Sequence, residues 1–243
     1  MRLIASELLK AWTTPRTLFG VLLAELAIIG LGAAGTVDSA ASSDPLPPSF
    51  EQDLISVSSI AVFFAVLVGV LVMTTEYRHG TISQTFLATP ARERVLGAKA
   101  VAAALLGAAF VVPGVLLTLT MAEVWVGGRE GFHIGGSELE LVARHLLAAA
   151  VGALFGLSIG AALGRQLGAF ILVLGWFLIV EHAIAALFPR TEDYLPGRSA
   201  IGGILGTGGS DFPSFGEALP LAAAWVIGLG AIALIVTRRR DIT

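Results

Sequence analysis

The sequence predicts an all-α integral membrane protein with six transmembrane helices, an N-terminal amphipathic helix at the interface, and a short cytoplasmic helix between the second and third spans. Three observations carry that prediction. Six apolar runs, at about residues 17–35, 54–74, 100–122, 141–164, 168–188 and 218–237, are each long enough to cross about 30 Å of hydrocarbon as a helix. Only 14% of the 243 residues are charged, against roughly 25% in soluble domains, and the mean hydropathy is +0.85. The basic residues also gather in alternate connections. Arg2, Lys10, Arg16, Arg78, Arg92, Arg94, Lys99, Arg165 and Arg238-Arg239-Arg240 make up eleven of the fifteen Lys and Arg. Arg129, Arg144, Arg190 and Arg198 are left for the opposite side. Short loops with excess Lys and Arg stay cytoplasmic, so both termini are expected inside the cell membrane and residues 1–243 form one transmembrane domain.

Several function classes are set aside by what the sequence lacks. No cysteine is present, so there is no disulfide, thiol nucleophile or cysteine metal site. No tract is basic enough to track nucleic acid. The phosphate-binding pattern Gly-x-x-x-x-Gly-Lys-Ser/Thr is missing, because Gly97-Ala98-Lys99 is followed by Ala100 and enters a span. Neither His-Glu-x-x-His nor Gly-x-Ser-x-Gly occurs. The chain is therefore expected to be no enzyme in itself, with no catalytic residue, metal or cofactor of its own.

Residues 1–14 place Ile4, Leu8, Ala11 and Trp12 at helical spacing along one apolar side, with Arg2, Glu7 and Lys10 largely elsewhere. An interfacial helix ended by Pro15 fits this pattern. A signal peptide is the rival, but no compact apolar core and small-residue cleavage site follow. The first span carries Glu25 near its middle, where a carboxylate is expensive unless neutral, paired or wet. It either lies near a translocation path or is a neutral group bonding a neighbouring helix. Residues 36–53 then read as an outer loop of little regular structure, rich in Ser, Pro and acids and without Lys or Arg.

Between the second and third spans lies the basic segment 76–99. Gly80 is expected to break the arriving helix, Thr81 to cap a short new one, and Pro90 to close it. Ile82, Phe86 and Leu87 would form one apolar edge along the interface. From these features alone, an ordinary interfacial loop is an equal reading.

The same residues, Glu76, Gly80-Thr81-Ile82, Thr89-Pro90, Arg92, Arg94, Val95-Leu96 and Lys99, occur in an order that resembles the cytoplasmic loop of type 2 ATP-binding-cassette permeases. That family comprises bacterial and archaeal exporters of drugs, antimicrobial peptides and glycolipids. The resemblance is sequential over 76–99 and topological over most of the chain, and it departs at Glu93, where some members carry arginine. It implies that the segment is a coupling helix seated in a groove of a separate nucleotide-binding ATPase subunit, which would hold ATP and Mg. It further implies twelve spans in all, hence a second copy or a paralogous permease. Glu76, Gly80, Thr81, Pro90, Arg92, Arg94 and Lys99 are then the partner-coupling residues, with Arg92 and Arg94 set against acidic ATPase surface or membrane lipid headgroups.

Pro113-Gly114 is expected to kink the third span. Residues 123–140 hold Glu123, Arg129, Glu130, His133, Glu138 and Glu140, and their spacing suits a hydrated outer loop better than a metal site. In the fourth span Gly152, Gly156, Gly160 and Gly164 share one stripe, which lets another helix approach closely. That helix belongs either to this chain or to a second copy. Arg165-Gln166 makes a short turn, so the fourth and fifth spans should be antiparallel neighbours. Glu181-His182, near the outer end of the fifth span, suits a hydrated structural role, with a proton relay as the alternative. Residues 189–217 form an outer segment with a Gly-rich, weakly apolar middle at 199–209, for which the family resemblance implies short helices.

The expected function is an exporter's permease subunit moving a drug, antimicrobial peptide or lipid outward. A proton-coupled carrier using Glu25 or Glu181 with His182, and a non-transporting scaffold, remain the other classes.

Overall fold

Pro15 divides the N-terminal region into two helices. In the computed structural model, which describes residues 2–13, 15–43, 46–47, 49–128, 136–206 and 213–240, α1 spans Arg2–Thr13 and α2 spans Pro15–Ala41. A helix tolerates proline at its first position because that N–H has no intrahelical acceptor in any case. α3 (Phe50–Ser58) runs into α4 (Ile60–Arg78), and α5 (Ile82–Ala88) is followed by α6 (Arg92–Val126), which passes through Pro113. α7 (Gly136–Leu163) turns at Gly164-Arg165 into α8 (Gln166–Gly175). A π-helical turn, Trp176–Val180, joins α8 to α9 (Glu181–Leu187). A 3₁₀ turn at Pro189–Tyr194, a π-helical turn at Pro196–Ile201 and α10 (Gly202–Leu205) precede α11 (Phe215–Arg239). No strand occurs among the described residues.

Among the described residues, six helical stretches are long and apolar enough to cross a membrane: Arg16–Ala41, Asp53–Arg78, Arg92–Val126, Leu139–Leu163, Gln166–Leu187 and Phe215–Arg239. In the second and fourth, 56% of the most apolar stretch is buried, against 17% in the first and 11% in the fifth and sixth. α4 and α7 therefore form the centre. α6 packs on both, α2 leans on α6, α11 on α7 and α8 on α4.

The glycine stripe explains that centre. A Cβ at Gly156 would lie 1.9 Å from Val66 O, and one at Gly69 would lie 1.9 Å from Ala153 O, so α4 and α7 touch backbone to backbone. Gly152 and Gly160 continue the seam against Val66 and Thr74. The close partner is thus a helix of this chain. Gly164 does something different: at φ +64° it ends α7, and it faces the Arg240 guanidinium.

The outer loop expected at 36–53 is shorter than the sequence suggested. Val37 and Ala40 extend α2 by more than a turn because they bury against Phe50, Leu54, Ala122 and Val126, and Phe50 already begins α3. Ser and Pro content marked the turn but missed this apolar pairing. In the outer segment, Ser199 to Leu205 are buried against α7 and α11, so its short helices are packed elements. α11 starts with a capping box in which Ser214 and Glu217 satisfy each other's ends.

Candidate functional site at the basic end of the bundle

α4 ends in a Schellman arrangement. Thr81 N donates to Glu76 O at 2.9 Å and Gly80 N to Tyr77 O at 3.3 Å, with Gly80 at φ +68°. The left-handed glycine turns the chain so that α5 starts immediately. Thr81 precedes α5, but its hydroxyl makes no cap bond, a correction to the capping role expected of it. Its backbone N–H is spent on closing α4 instead. Ile82 and Phe86 are buried with Val95, as the apolar edge predicted, whereas Leu87 is 82% exposed and lies off that edge. At about 100° per residue, Leu87 stands about 100° round the helix from Phe86 and about 140° from Ile82, off the buried edge. Pro90 is exposed and lies between α5 and α6.

Beneath α5 sits a group of four charges. Lys99 Nζ lies 2.6 Å from Glu7 Oε2 and 2.8 Å from Glu76 Oε1, and all three side chains are buried. Lys10 Nζ lies 2.5 Å from Glu7 Oε1 and 2.6 Å from Glu76 Oε1, with its side chain 43% exposed. Thr85 donates its hydroxyl to Glu76 Oε2 at 3.0 Å, so α5 is fastened to the same carboxylate. Two carboxylates and two ammonium groups balance formally, and each buried charge has its hydrogen-bond partners. Burial lowers the Lys10 pKa, but hydrogen bonds to Glu7 and Glu76 and their charges outweigh it, and the net shift is upward. α1, α4, α5 and α6 thus meet at one ion cluster. A cleft of about 550 Å³, reached by Thr17, His79, Gln84 and Thr89, opens over it.

Of the predicted coupling residues, Glu76 and Lys99 are buried and paired with each other within the chain. The cause is Glu7: the sequence pattern placed it off the apolar side of α1, yet it is 5% exposed because Lys99 pulls that face of the helix down. Ile4, Leu8 and Ala11 are only half-buried, and the side chain of Trp12 lies outside the described residues. Arg92 is also committed within the chain. Its Nη1 donates to the carbonyls of Thr237, Arg238 and Arg240 at 2.6, 3.1 and 2.9 Å, closing the end of α11, and its guanidinium stacks over Phe86 at 5.3 Å. Arg240 in turn donates to Ala161 O and Ala162 O at the end of α7. Arg94 is exposed and has no ion-pair partner among the described residues.

Glu25 is fully buried, and neither carboxyl oxygen has a hydrogen-bond partner among the described residues. A Cβ at Gly114 would lie 2.7 Å from Glu25 Oε1 and 2.7 Å from Ile29 Cδ1, so the absence of a side chain at Gly114 makes room for the carboxyl group. No hydrogen bond to a neighbouring helix replaces the lost water among the described residues. An unpaired anion in such a place is very costly.

Two buried polar pairs lie toward the opposite end. Ser58 Oγ is 2.9 Å from His145 Nε2, and His145 Nδ1 is 2.8 Å from Leu141 O. A carbonyl only accepts, so Nδ1 carries a proton, while the single Ser58 hydroxyl hydrogen has two acceptors within reach, Ile55 O at 3.0 Å and Nε2. Both side chains are buried, which makes the pair a tie between α3 and α7. Glu181 accepts from Trp176 Nε1 at 2.9 Å and from the backbone N–H groups of Gly197 and Arg198 at 2.8 Å each. The hydrated role expected for it is corrected: it is 1% exposed and anchors the start of the second π-helical turn. His182 is exposed. Arg129, Glu130, His133 and Asp211 lie outside the described residues, as does the side chain of Glu138.

Sequence reasoning missed Glu7, Thr85 and Gly69. The usable signal was charge arithmetic: Glu7, Lys10, Glu76 and Lys99 all fall beside apolar runs at one predicted membrane face, where opposite charges pair. No family model matches the chain, and no curated protein matches it.

Proposed function

We propose that this chain is the permease subunit of an ATP-driven exporter resembling the type 2 ATP-binding-cassette kind. A separate nucleotide-binding subunit hydrolyses ATP with Mg, and a second permease, identical or paralogous, completes the pathway. The substrate is amphipathic or hydrophobic, of the drug, antimicrobial-peptide or lipid class, and leaves outward along the interface between the halves. Both termini lie on the cytoplasmic side of a prokaryotic plasma membrane, and the chain itself carries no catalytic group.

The observation that carries this reading is α5, a short helix whose one side is seated on α6 and the Glu76 carboxylate while Leu87 and Arg94 point away. Gly80, Thr81 and Pro90 set its bounds, and Glu76 and Lys99 hold its base; Arg92 fixes α11 beside it. A push on such a helix reaches α1, α4 and α6 together. Leu87 and Arg94 are therefore the contacts assigned to the ATPase, with Arg92 in a supporting position.

Affinity purification from the native membrane in mild detergent, followed by mass spectrometry and an ATPase assay, tests this. A nucleotide-binding subunit should co-purify and be lost with Leu87→Asp. Recovery of the chain alone, with transport still driven by a proton gradient, would replace this reading with the carrier. Glu25 is the observation favouring that second reading, because it is a buried carboxyl with no partner. Glu181 gives the carrier no support, since its acceptors are occupied by backbone donors.

A further inference from the structure

At the end of the bundle that carries Glu76, a second cavity of about 520 Å³ lies between α4 and the turn from α7 to α8. Arg78, Arg165 and Gln166 form its polar part, and Tyr77, Leu167 and Phe170 form its apolar part. The charged residues lining it are both arginines. Neither has an acidic partner among the described residues; Arg78 only reaches Gln166 Oε1, at 3.3 Å. Arg240 approaches from behind, but its donors go to Ala161 O and Ala162 O and its guanidinium stacks on the Tyr77 ring at 5.4 Å. The Tyr77 hydroxyl is buried and without a hydrogen-bond partner among the described residues. Two guanidinium groups without an acidic partner at one cavity call for an anion.

The surface leading away from the cavity narrows the ligand. Leu167, Ile171, Leu174 and Leu178 follow one another at helical spacing along α8 and into the turn after it, and all four are exposed. An anion-binding rim continuous with an apolar stripe matches a molecule that carries a phosphate at one end and a hydrocarbon chain at the other. Basic pockets between helices at the cytoplasmic face have this use for anionic headgroups.

We infer that Arg78 and Arg165 form a binding site for one anionic phospholipid, whose phosphate sits in the cavity between α4 and the α7–α8 turn and whose chain lies along Leu167 to Leu178. The inference rests on the six apolar helices crossing a membrane and needs no ATPase partner. A lipid there would bridge α4, at the centre of the bundle, to α8, at its edge, and so bias how far those helices separate.

Native mass spectrometry of the full chain in detergent, with added phosphatidylglycerol or phosphatidylcholine, tests this. The protein should retain phosphatidylglycerol preferentially, by about fivefold for each arginine that contacts the phosphate. Arg78→Gln or Arg165→Gln should each lower that preference by about fivefold, and the double variant should abolish it. Arg16→Gln removes an exposed basic residue at the same end, outside the cavity, and should change nothing. An equal fall in Arg16→Gln would reduce the effect to general surface charge and overturn the site. So would full retention in the double variant, or displacement of the lipid by inorganic phosphate alone, which would assign the arginines to a free anion. Should the variants fail to fold, equal retention of both lipids by the unaltered protein would overturn it on its own. Absence of an ATPase subunit in the purified complex leaves every one of these readings intact.

Discussion

Lys99 Nζ lies 2.6 Å from Glu7 Oε2, with both side chains buried, and this pair joins α1 to the base of α6. Removing one partner of a buried pair leaves the other charge without compensation. Lys99→Met leaves Glu7 and Glu76 to share the partly exposed Lys10 alone and should cost about 3–5 kcal/mol. Thermal unfolding in detergent measures this. A loss below about 1 kcal/mol, the size of an exposed ion pair, would show that water reaches the cluster and screens it.

Lys10 supplies a pH dependence of known sign. Its folded-state pKa is raised above the ordinary 10.5, so its contribution to docking α1 is fully present below 10.5 and is lost as pH rises through the raised value. Amide hydrogen exchange of α1 should therefore accelerate on strongly alkaline titration beyond the intrinsic base-catalysed rate. Lys10→Gln should remove that extra step and start from weaker protection at neutral pH. Identical alkaline profiles in the two proteins would dissociate Lys10 from α1 docking.

Arg92 and Arg94 are two residues apart but should fail differently. Arg92→Ala deprives the last turn of α11 of its donor at three carbonyls, so exchange protection should fall at Arg238 to Arg240. Arg94→Ala should leave that protection unchanged and reduce stimulation of the proposed ATPase partner. If Arg94→Ala preserved full stimulation while Arg92→Ala abolished it without loosening α11, the assignment of roles would be reversed.

The sequence made the six spans legible because length and hydropathy decide them almost alone, and the glycine spacing in α7 pointed to a close helix. It did not identify α4 as that helix, since Gly69 is a lone glycine whose meaning depends on facing Ala153. Gly80 and Pro90 were readable as punctuation because their backbone limits are intrinsic. The directions of Glu7, Arg92 and Lys99 were not, because a charge at a membrane face reads as exposed until its counter-charge is placed beside it. Glu7 and Lys99 come from segments that only tertiary packing unites.

The α4–α7 seam separates contact glycines from others by geometry. Gly156→Ala would drive a methyl to 1.9 Å from Val66 O, a backbone atom that cannot move without shifting the helix. A destabilisation of about 1–3 kcal/mol or more is expected, with a fall in the folded fraction seen by size-exclusion chromatography. At Gly168 the nearest atom to a new methyl, outside the helix's own backbone, is Arg165 Cβ at 3.9 Å, so Gly168→Ala should be neutral or slightly stabilising. Equal losses at the two positions would mean that glycine serves these helices through backbone flexibility instead of close approach.

Glu25 offers the sharpest division between structure and function. Its carboxyl group has no hydrogen bond to lose and lies against Gly114 and Ile29. If it served only the fold, an apolar residue would serve better, and Glu25→Leu would be neutral or stabilising by about 1 kcal/mol or more. Stability should indeed hold in that variant, because nothing the carboxyl group does in this conformation supports the fold. Transport should fall, because another conformation must supply what is missing here: water, a proton acceptor or a cationic part of the substrate. Glu25→Gln, which keeps the size and polarity but cannot ionise, should fold normally and lose the pH dependence of transport. Measuring transport across pH for both variants separates the cases. Undiminished transport with an unchanged pH profile in Glu25→Gln would place the residue outside the pathway and leave its burial as a cost that the rest of α2 offsets.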